Sequence, residues 1–448
     1  MRKEAWTLAI ETLSWIEMRR LSERLALEKT VKQLGISDAN ATRLAHMLVC
    51  ETVRRRNFID SFINNVLKPK SLNEFNLGTQ AFLRLYVYQT RIAKNWSKLD
   101  IKEAENIAKL ARSILGWKTL KKVESIFGFL LTQHPASILE DLNDEERAGL
   151  LTFHPTWFVK YCFKLLGRRE AIAMLEVDAQ SPPTYIRLNT LKTMEIEILE
   201  RLVKEGVTLE KIEELRYAYK VLDTNQPLTR TDSFRKGLFY IQDKASCFAA
   251  EVANPRPEMT VLDVCAAPGA KSTYLAQLMR NRGVIYSVDY SKRRMDIWKR
   301  EIARMGVGIG LPIIADACNP LAPIIEADLV VLDPPCTSTG TFRKLPSAKW
   351  RLTRRSIDKM AEIQWQMINN CAENVKLGGT LIYSTCSITV EENEMLIERF
   401  LKWHPEFSLV EITPKIGTSG LRGLSSCQRL YPHTHQCNGS FIAKLLKG

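Results

Sequence analysis

The stretch Thr260-Val261-Leu262-Asp263-Val264-Cys265-Ala266-Ala267-Pro268-Gly269-Ala270-Lys271-Ser272 decides the fold. It opens as a short apolar, β-prone run, turns through small residues, and enters a helix expected from about Ser272 to Met279. Small residues in such a turn let a ligand approach the backbone closely, and the carboxyl end of a strand is where doubly wound sheets bind nucleotides. Cys265, Ala266, Ala267, Pro268, Gly269, Ala270 and Lys271 are therefore candidates for a cofactor-binding turn. The spacing is not that of the G-x-G-x-x-G dinucleotide loop, and Lys271 lacks the glycines of a phosphate-binding loop.

Downstream, strand-like runs recur and each delivers a polar group. Val284 to Val288 ends at Asp289, about 20 residues past the turn, where an acid can accept hydrogen bonds from both ribose hydroxyls. Leu311 to Ala315 delivers Asp316, suited to an adenine amino group. Asp328 to Leu332 runs into Asp333-Pro334-Pro335-Cys336, and Thr380 to Tyr383 into Ser384-Thr385-Cys386-Ser387. Strands alternating with helices imply an α/β domain with a parallel sheet covered on both faces. S-adenosylmethionine and NAD both fit the cofactor signals.

The two cysteines narrow the chemistry. Carbon 5 of cytosine is a poor nucleophile until a thiolate adds to carbon 6, and a second group must later help remove the carbon 5 proton. Two thiols on adjacent strand ends could divide those tasks, whereas hydride transfer has no obvious use for them. Taken singly, each reads first as a buried small hydrophobe, and the company of the motifs lifts the functional reading. Methyltransferases acting on amino nitrogens use a related motif that ends in an aromatic, where this chain has Cys336.

The rest of the chain reads as two further parts. Residues 1 to about 135 are helical, with Trp6, Ala9, Ile10, Leu13 and Ile16, then Leu44, Leu48 and Val53, then Phe82, Leu83, Leu85 and Tyr86 at helical spacing. Arg54, Arg55 and Arg56 read either as an RNA-facing patch or as a solvated helix face. From 150 to 225 a small α+β module is expected: His154-Pro155-Thr156-Trp157 starts a helix through Leu166, and Thr184 to Asn189 alternates like a strand. Around Lys236 to Asp243 another strand begins the third part, which spans 235 to 448.

A chain of 448 residues suits two or three domains. Its 64 Lys and Arg against 50 Asp and Glu give a net charge of +14, which favours a polyanionic partner, nucleic acid first. No secretory leader and no bilayer-length apolar run is read, so a cytoplasmic monomer without membrane contact is expected. The ten cysteines contain no Cys-x-x-Cys pair and read as reduced thiols. Cys427, His433, His435 and Cys437 lack the recurrent structural-zinc spacing, and no metal site is expected.

The segments GLFYIQDKAS (237 to 246), LDVCAAPGAKS (262 to 272), VLDPPCTSTGTFRKLP (331 to 346) and STCSITVEENE (384 to 394) together resemble the RNA cytosine-5 methyltransferases of the NOL1/NOP2/Sun family, over residues 150 to 448. The helical front part is similar to the NusB-like RNA-binding domain of the family's Fmu/Sun ribosomal RNA branch. The resemblance implies a Rossmann-like methyltransferase domain preceded by an all-α NusB-like domain and the small module. It implies S-adenosyl-L-methionine as cofactor and RNA as substrate, ribosomal RNA ahead of transfer RNA. Cys386 would attack carbon 6 and Cys336 would assist release; Asp333 would hold the base edge and stabilise the addition. The 265 to 271 turn would cradle the methionine end, with Asp289 on the ribose, Asp316 near adenine, and Arg294 as a further cofactor contact. Lys271 would support thiolate or cofactor charge. Ala270-Lys271-Ser272 stands where Gly-Lys-Thr is usual, and Thr337-Ser338 follows Cys336 where Ser-Gly is usual. An enzyme acting on amino nitrogens or on DNA, and a catalytically silent RNA-binding assembly factor, are the alternatives.

Overall fold

The computed structural model describes residues 2–93, 100–321 and 326–448. Met1 and residues 94–99, part of the region read as helical, lie outside them. The described chain forms two compact units: residues up to Gln180 with Phe342–Leu352, and Ser181–Thr341 with Thr353–Gly448.

The first unit is helical. The apolar stripes lie on helices Arg2–Arg19, Ala39–Arg54 and Leu77–Val87. Their Trp6, Ile10, Leu13, Leu48, Phe82 and Tyr86 share one buried core. Asp38 caps the second of these helices by accepting from the Asn40 and Ala41 N–H groups at 2.8 and 3.2 Å, and Asn76 caps the third through Thr79 N at 2.9 Å. Further helices span Thr156–Leu166, with Pro155 one residue before it, and Arg168–Asp178.

Of Arg54, Arg55 and Arg56, Arg54 belongs to neither the RNA-facing patch nor the solvated face expected of it, and the other two are half-buried. Arg54 is buried and donates to the carbonyls of Gln180 at 3.0 Å and Arg343 at 2.9 Å. Arg55 pairs with Glu51, and Arg56 with Glu17 at 2.9 Å. Buried carbonyls need donors, and the Phe342–Leu352 segment supplies one of them by packing on this helical unit. The same segment is held where Ser347 Oγ donates to Glu23 at 2.9 Å and Trp350 Nε1 to the Val53 carbonyl at 2.6 Å.

The second unit contains two sheets. The smaller is antiparallel: β1 (Thr184–Leu188), β2 (Val207–Lys211), β3 (Ala218–Thr224) and β4 (Phe239–Ile241), in the order β2-β3-β1-β4. Here β4 departs from the expectation that it opens the parallel sheet; it pairs with β1, Leu188 opposite Phe239, because both side chains enter the core of the small module.

The larger sheet is built from β5 (Thr260–Val264), β6 (Val284–Asp289), β7 (Gly310–Ile314), β8 (Ala327–Leu332), β9 (Val375–Thr385), β10 (Phe407–Leu409), β11 (Thr418–Ser419), β12 (Gln428–Leu430) and β13 (Ser440–Lys447). The order is β11-β12-β13-β9-β8-β5-β6-β7, with β10 also on β13. The run β9-β8-β5-β6-β7 is parallel, whereas β10 to β13 pair antiparallel, so the sheet is not parallel throughout. Alternate residues divide between its faces as a period of two requires: Val261, Ile285, Leu329 and Ile382 enter one core, and Leu262, Val288, Val330 and Leu381 the other. Helices Lys244–Ala253 and Ala270–Leu278 cover the first face, and Arg354–Glu373 and Glu394–Trp403 the second. Each large apolar side chain so buried contributes about 1.5–3 kcal/mol, which makes this two-sided core the rigid base for the strand ends. Among the described residues no helix is long and apolar enough to cross a membrane.

Candidate active site

The turn after β5 is held from several sides. Cys265 leaves the strand with φ 64°, Ala266 N donates to the Val288 carbonyl at 3.0 Å, and Gly269 adopts φ 111°, a conformation L side chains rarely take. Beneath it Asp263 is buried; Ser272 Oγ donates to Asp263 at 2.5 Å and Trp298 Nε1 to Ser272 Oγ at 2.9 Å. Burial pushes the Asp263 carboxyl up to about 7. Arg187 of β1 is also buried, and its guanidinium donates to Gln242 at 2.9 Å, to Thr273 at 2.8 Å and to Gln277. The small module thereby grips the helix that begins at Ala270.

Asp289, at the end of β6, is buried. One carboxylate oxygen accepts from Ser291 N at 3.1 Å; the other makes no hydrogen bond and lies 3.2 Å from Arg294 Nη1. Arg294 also donates to the Ala267 carbonyl, joining this acid to the turn. A buried carboxylate oxygen without a donor suits a ligand hydroxyl. Lys271 is half-buried and forms an ion pair with Asp333. Burial alone depresses the lysine's affinity for its proton, but the charge of Asp333 outweighs that and holds it above the ordinary range.

Cys336 and Cys386 meet with their sulfurs 3.0 Å apart. Ser338 Oγ lies 3.5 Å from Cys386 and 3.9 Å from Cys336. The thiols are not electrostatically equivalent. The hydrogen bond from Cys336, helped by Ser338 and Lys271, brings Cys386 below the ordinary thiol range despite its burial. The same bond, with burial and the nearby Glu392, pushes Cys336 well above it. Of the two sulfurs Cys386 is therefore the one that gives up its proton more readily, with Cys336 as its hydrogen-bond donor.

A cavity of about 580 Å³ opens beside the pair, within the range of small-molecule and cofactor sites. Of the residues singled out in the sequence, Cys265, Ala267, Arg294, Asp316, Asp333, Cys336 and Cys386 line it. Ala266, Pro268, Gly269, Ala270, Lys271 and Asp289 are not in its lining. Tyr290, Cys318, Ser338 and Met367 also line it and were missed by the sequence reading. For Tyr290 a usable signal existed, an aromatic directly after a strand-end acid; Met367 sits mid-helix and gave none. Among the described residues no three His, Cys, Asp or Glu side chains are grouped to hold a metal ion.

Comparison with known proteins gives the site a family. The family described as 16S rRNA methyltransferase RsmB/F matches residues 250–446, and the RsmF/B-like ferredoxin-like domain matches 154–227. The probable ribosomal RNA small subunit methyltransferase B of Bacillus subtilis (strain 168) is 29% identical, with 98% of each chain covered. The 25S rRNA (cytosine-C(5))-methyltransferase nop2 of Schizosaccharomyces pombe is 33% identical over 64% of this chain and 49% of its own length. The solved structure of PH0851 superposes with a TM-score of 0.83 at 30% identity, covering 100% of this chain and 99% of the other. With its paired strand-end cysteines and acid-lined cavity, the chain belongs to the RsmB/F group of the NOL1/NOP2/Sun methyltransferase family.

Proposed function

We propose that the protein methylates carbon 5 of a cytosine in ribosomal RNA, with Cys386 as nucleophile, Cys336 as the release group and S-adenosyl-L-methionine as methyl donor. The observation that carries this reading is the 3.0 Å sulfur pair, with its unequal thiols, on the wall of the cavity. The relatives in bacteria and fission yeast are named as ribosomal RNA methyltransferases, and the full-length likeness to the bacterial protein favours small-subunit RNA.

The residues divide the work as follows. Cys386 Sγ⁻ adds to carbon 6, forming a sulfur–carbon bond and making carbon 5 nucleophilic. The Lys271–Asp333 pair borders this step; Asp333 lines the cavity and holds the base edge, while Lys271 favours the thiolate. The cofactor would supply an electrophilic methyl group when bound. Asp289 would take the ribose hydroxyls through the oxygen that makes no hydrogen bond, Asp316 the adenine side and the 265–271 turn the methionine end, with Arg294 bracing Asp289 against the turn. As Cys386 adds, Cys336 gives its own proton to the ring; once the methyl group is on carbon 5, the Cys336 thiolate so formed takes the carbon 5 proton, the sulfur–carbon 6 bond breaks, Cys386 leaves as thiolate, and the ring proton is lost to solvent. We assign RNA binding to residues 1–135 with the 150–225 module and catalysis to 235–448.

The test is a pair of alanine variants with RNA and labelled cofactor. Cys386→Ala should neither methylate nor form an adduct. Cys336→Ala should accumulate a protein–RNA adduct that survives denaturing electrophoresis. Unimpaired methylation by Cys386→Ala sinks the assignment. Bisulfite sequencing of ribosomal and transfer RNA, with and without the gene, identifies the substrate.

A further inference from the structure

The two cysteine loops come from different strands, so something must fix their spacing. Glu392 is fully buried, and its carboxylate accepts from both loops. One oxygen takes the Thr337 N–H at 2.8 Å and Gln364 Nε2 at 3.0 Å. The other is met by the hydroxyls of Thr337, of Ser387 at 2.6 Å and of Thr389 at 2.6 Å. Thr337 directly follows Cys336, and Ser387 directly follows Cys386. The residues before the cysteines join the same network. Gln364 also donates to the Pro335 carbonyl at 2.9 Å, and Tyr383 OH donates to the Glu392 carbonyl at 2.6 Å.

The two residues after Glu392 hold one loop only, among the described contacts. Asn393 accepts from Thr385 Oγ1 at 2.6 Å and donates to the Ser387 carbonyl at 2.9 Å. Glu394 pairs with buried Arg429, which donates to the Ile388 carbonyl at 2.8 Å. A carboxylate buried this deeply is tolerated only when its lone pairs are filled, and a filled network of this kind is rigid. Its location matters more than its strength: it ties together the two residues on which the sulfur separation depends.

We propose that Glu392 is a positioning residue that locks the Cys336 and Cys386 loops at the spacing at which Cys336 donates its hydrogen bond to Cys386. The proposal rests on the reading of those cysteines as the reacting pair. Removing the lock lets the sulfurs drift apart, and displacements of about 1 Å at a reacting pair are costly to turnover. Cys386 then loses the hydrogen bond from Cys336, while Ser338, Asp333 and Lys271 still face it.

The experiment compares wild type, Glu392→Gln, Thr337→Val and Thr337→Ser as full-length proteins. Glutamine keeps the size but presents an amide donor to groups that are themselves donors. Iodoacetamide alkylation of Cys386 across pH is read without RNA, together with kcat, KM and cofactor affinity. The Glu392→Gln profile should move upward by about half a pH unit or more, with kcat down about tenfold or more and cofactor affinity within about twofold. Thr337→Val should show a smaller shift of the same sign, and Thr337→Ser, which keeps the hydroxyl, should restore the wild-type profile. An unchanged alkylation profile in Glu392→Gln overturns the proposal whatever turnover does. If that variant does not fold, coincident profiles for Thr337→Val and Thr337→Ser overturn it. Failure of the cysteine assignment would appear separately, as methylation by Cys386→Ala.

Discussion

Cys336 and Cys386 follow neighbouring parallel strands and sit 3.0 Å apart, yet their surroundings push them in different directions. Cys336 comes out of the sheet through Pro334 and Pro335, beside the acid Glu392, and holds its proton. Cys386 comes straight off β9, faces the hydroxyl of Ser338 and the ammonium of Lys271, and gives its proton up more readily. Residue type and strand-end position are shared. The difference shows that the division of labour is set by the groups around each sulfur, by charge through space and by who donates to whom.

Serine replacement is the strongest way to break the comparison. Cys386→Ser puts a hydroxyl with no accessible anion where the thiolate must attack, and turnover should fall by about a thousandfold or more. Cys336→Ser keeps a proton donor in place and should lose only about tenfold to a hundredfold in single-turnover methyl transfer. Equal losses in the two variants would mean that the thiols are not differentiated as their surroundings suggest.

Lys271→Met tests the charge. The Cys386 alkylation profile should move to higher pH by about one unit, equivalent to about 1.4 kcal/mol, because the thiolate loses a cation that favours it. The sign follows from the lowered Cys386 affinity for its proton: the thiolate fraction in the wild type is present below the ordinary thiol range, and in the variant appears only nearer to it. A downward shift would contradict this placement of the charge.

The smallest effect is expected at Ser338, which sits at φ 56° where glycine would be unstrained. Ser338→Gly should lower kcat only about threefold, with a shift of a few tenths of a pH unit, because the hydroxyl that lies 3.5 Å from the Cys386 sulfur is lost. Thermal melting should hold steady or rise, since the backbone strain is relieved. A melting temperature that falls sharply would show that Ser338 holds the loop together.

The strands that carry the site were readable because their signals are local. The run at 260–264, the small-residue turn and the acids at 289 and 316 all depend on a period of two and on residues within a few positions. Features whose partners lie far away in the chain were not readable. Arg54 looked solvated because helical periodicity says nothing about a segment arriving 289 residues later to bury it. The strand at Phe239 alternates correctly, but its pairing with β1 is decided by where the small module's core lies. Glu392 passed as one acid in a charged tail of a motif. Its one sequence hint is the density of hydroxyl residues after both cysteines, Thr337, Ser338 and Thr339 on one side and Ser387 and Thr389 on the other.

By itself, the sequence determined the order of strands and turns and the presence of two thiols and several acids at strand ends, because strand period and turn chemistry are properties of neighbours along the chain. The tertiary structure alone decided that the two sulfurs touch, that Lys271 and Ser338 favour one of them as thiolate, and that the buried Glu392 carboxylate, just past Cys386 in the chain, ties their loops. Proton affinity and loop spacing depend on groups brought together across space, and linear order does not specify those distances.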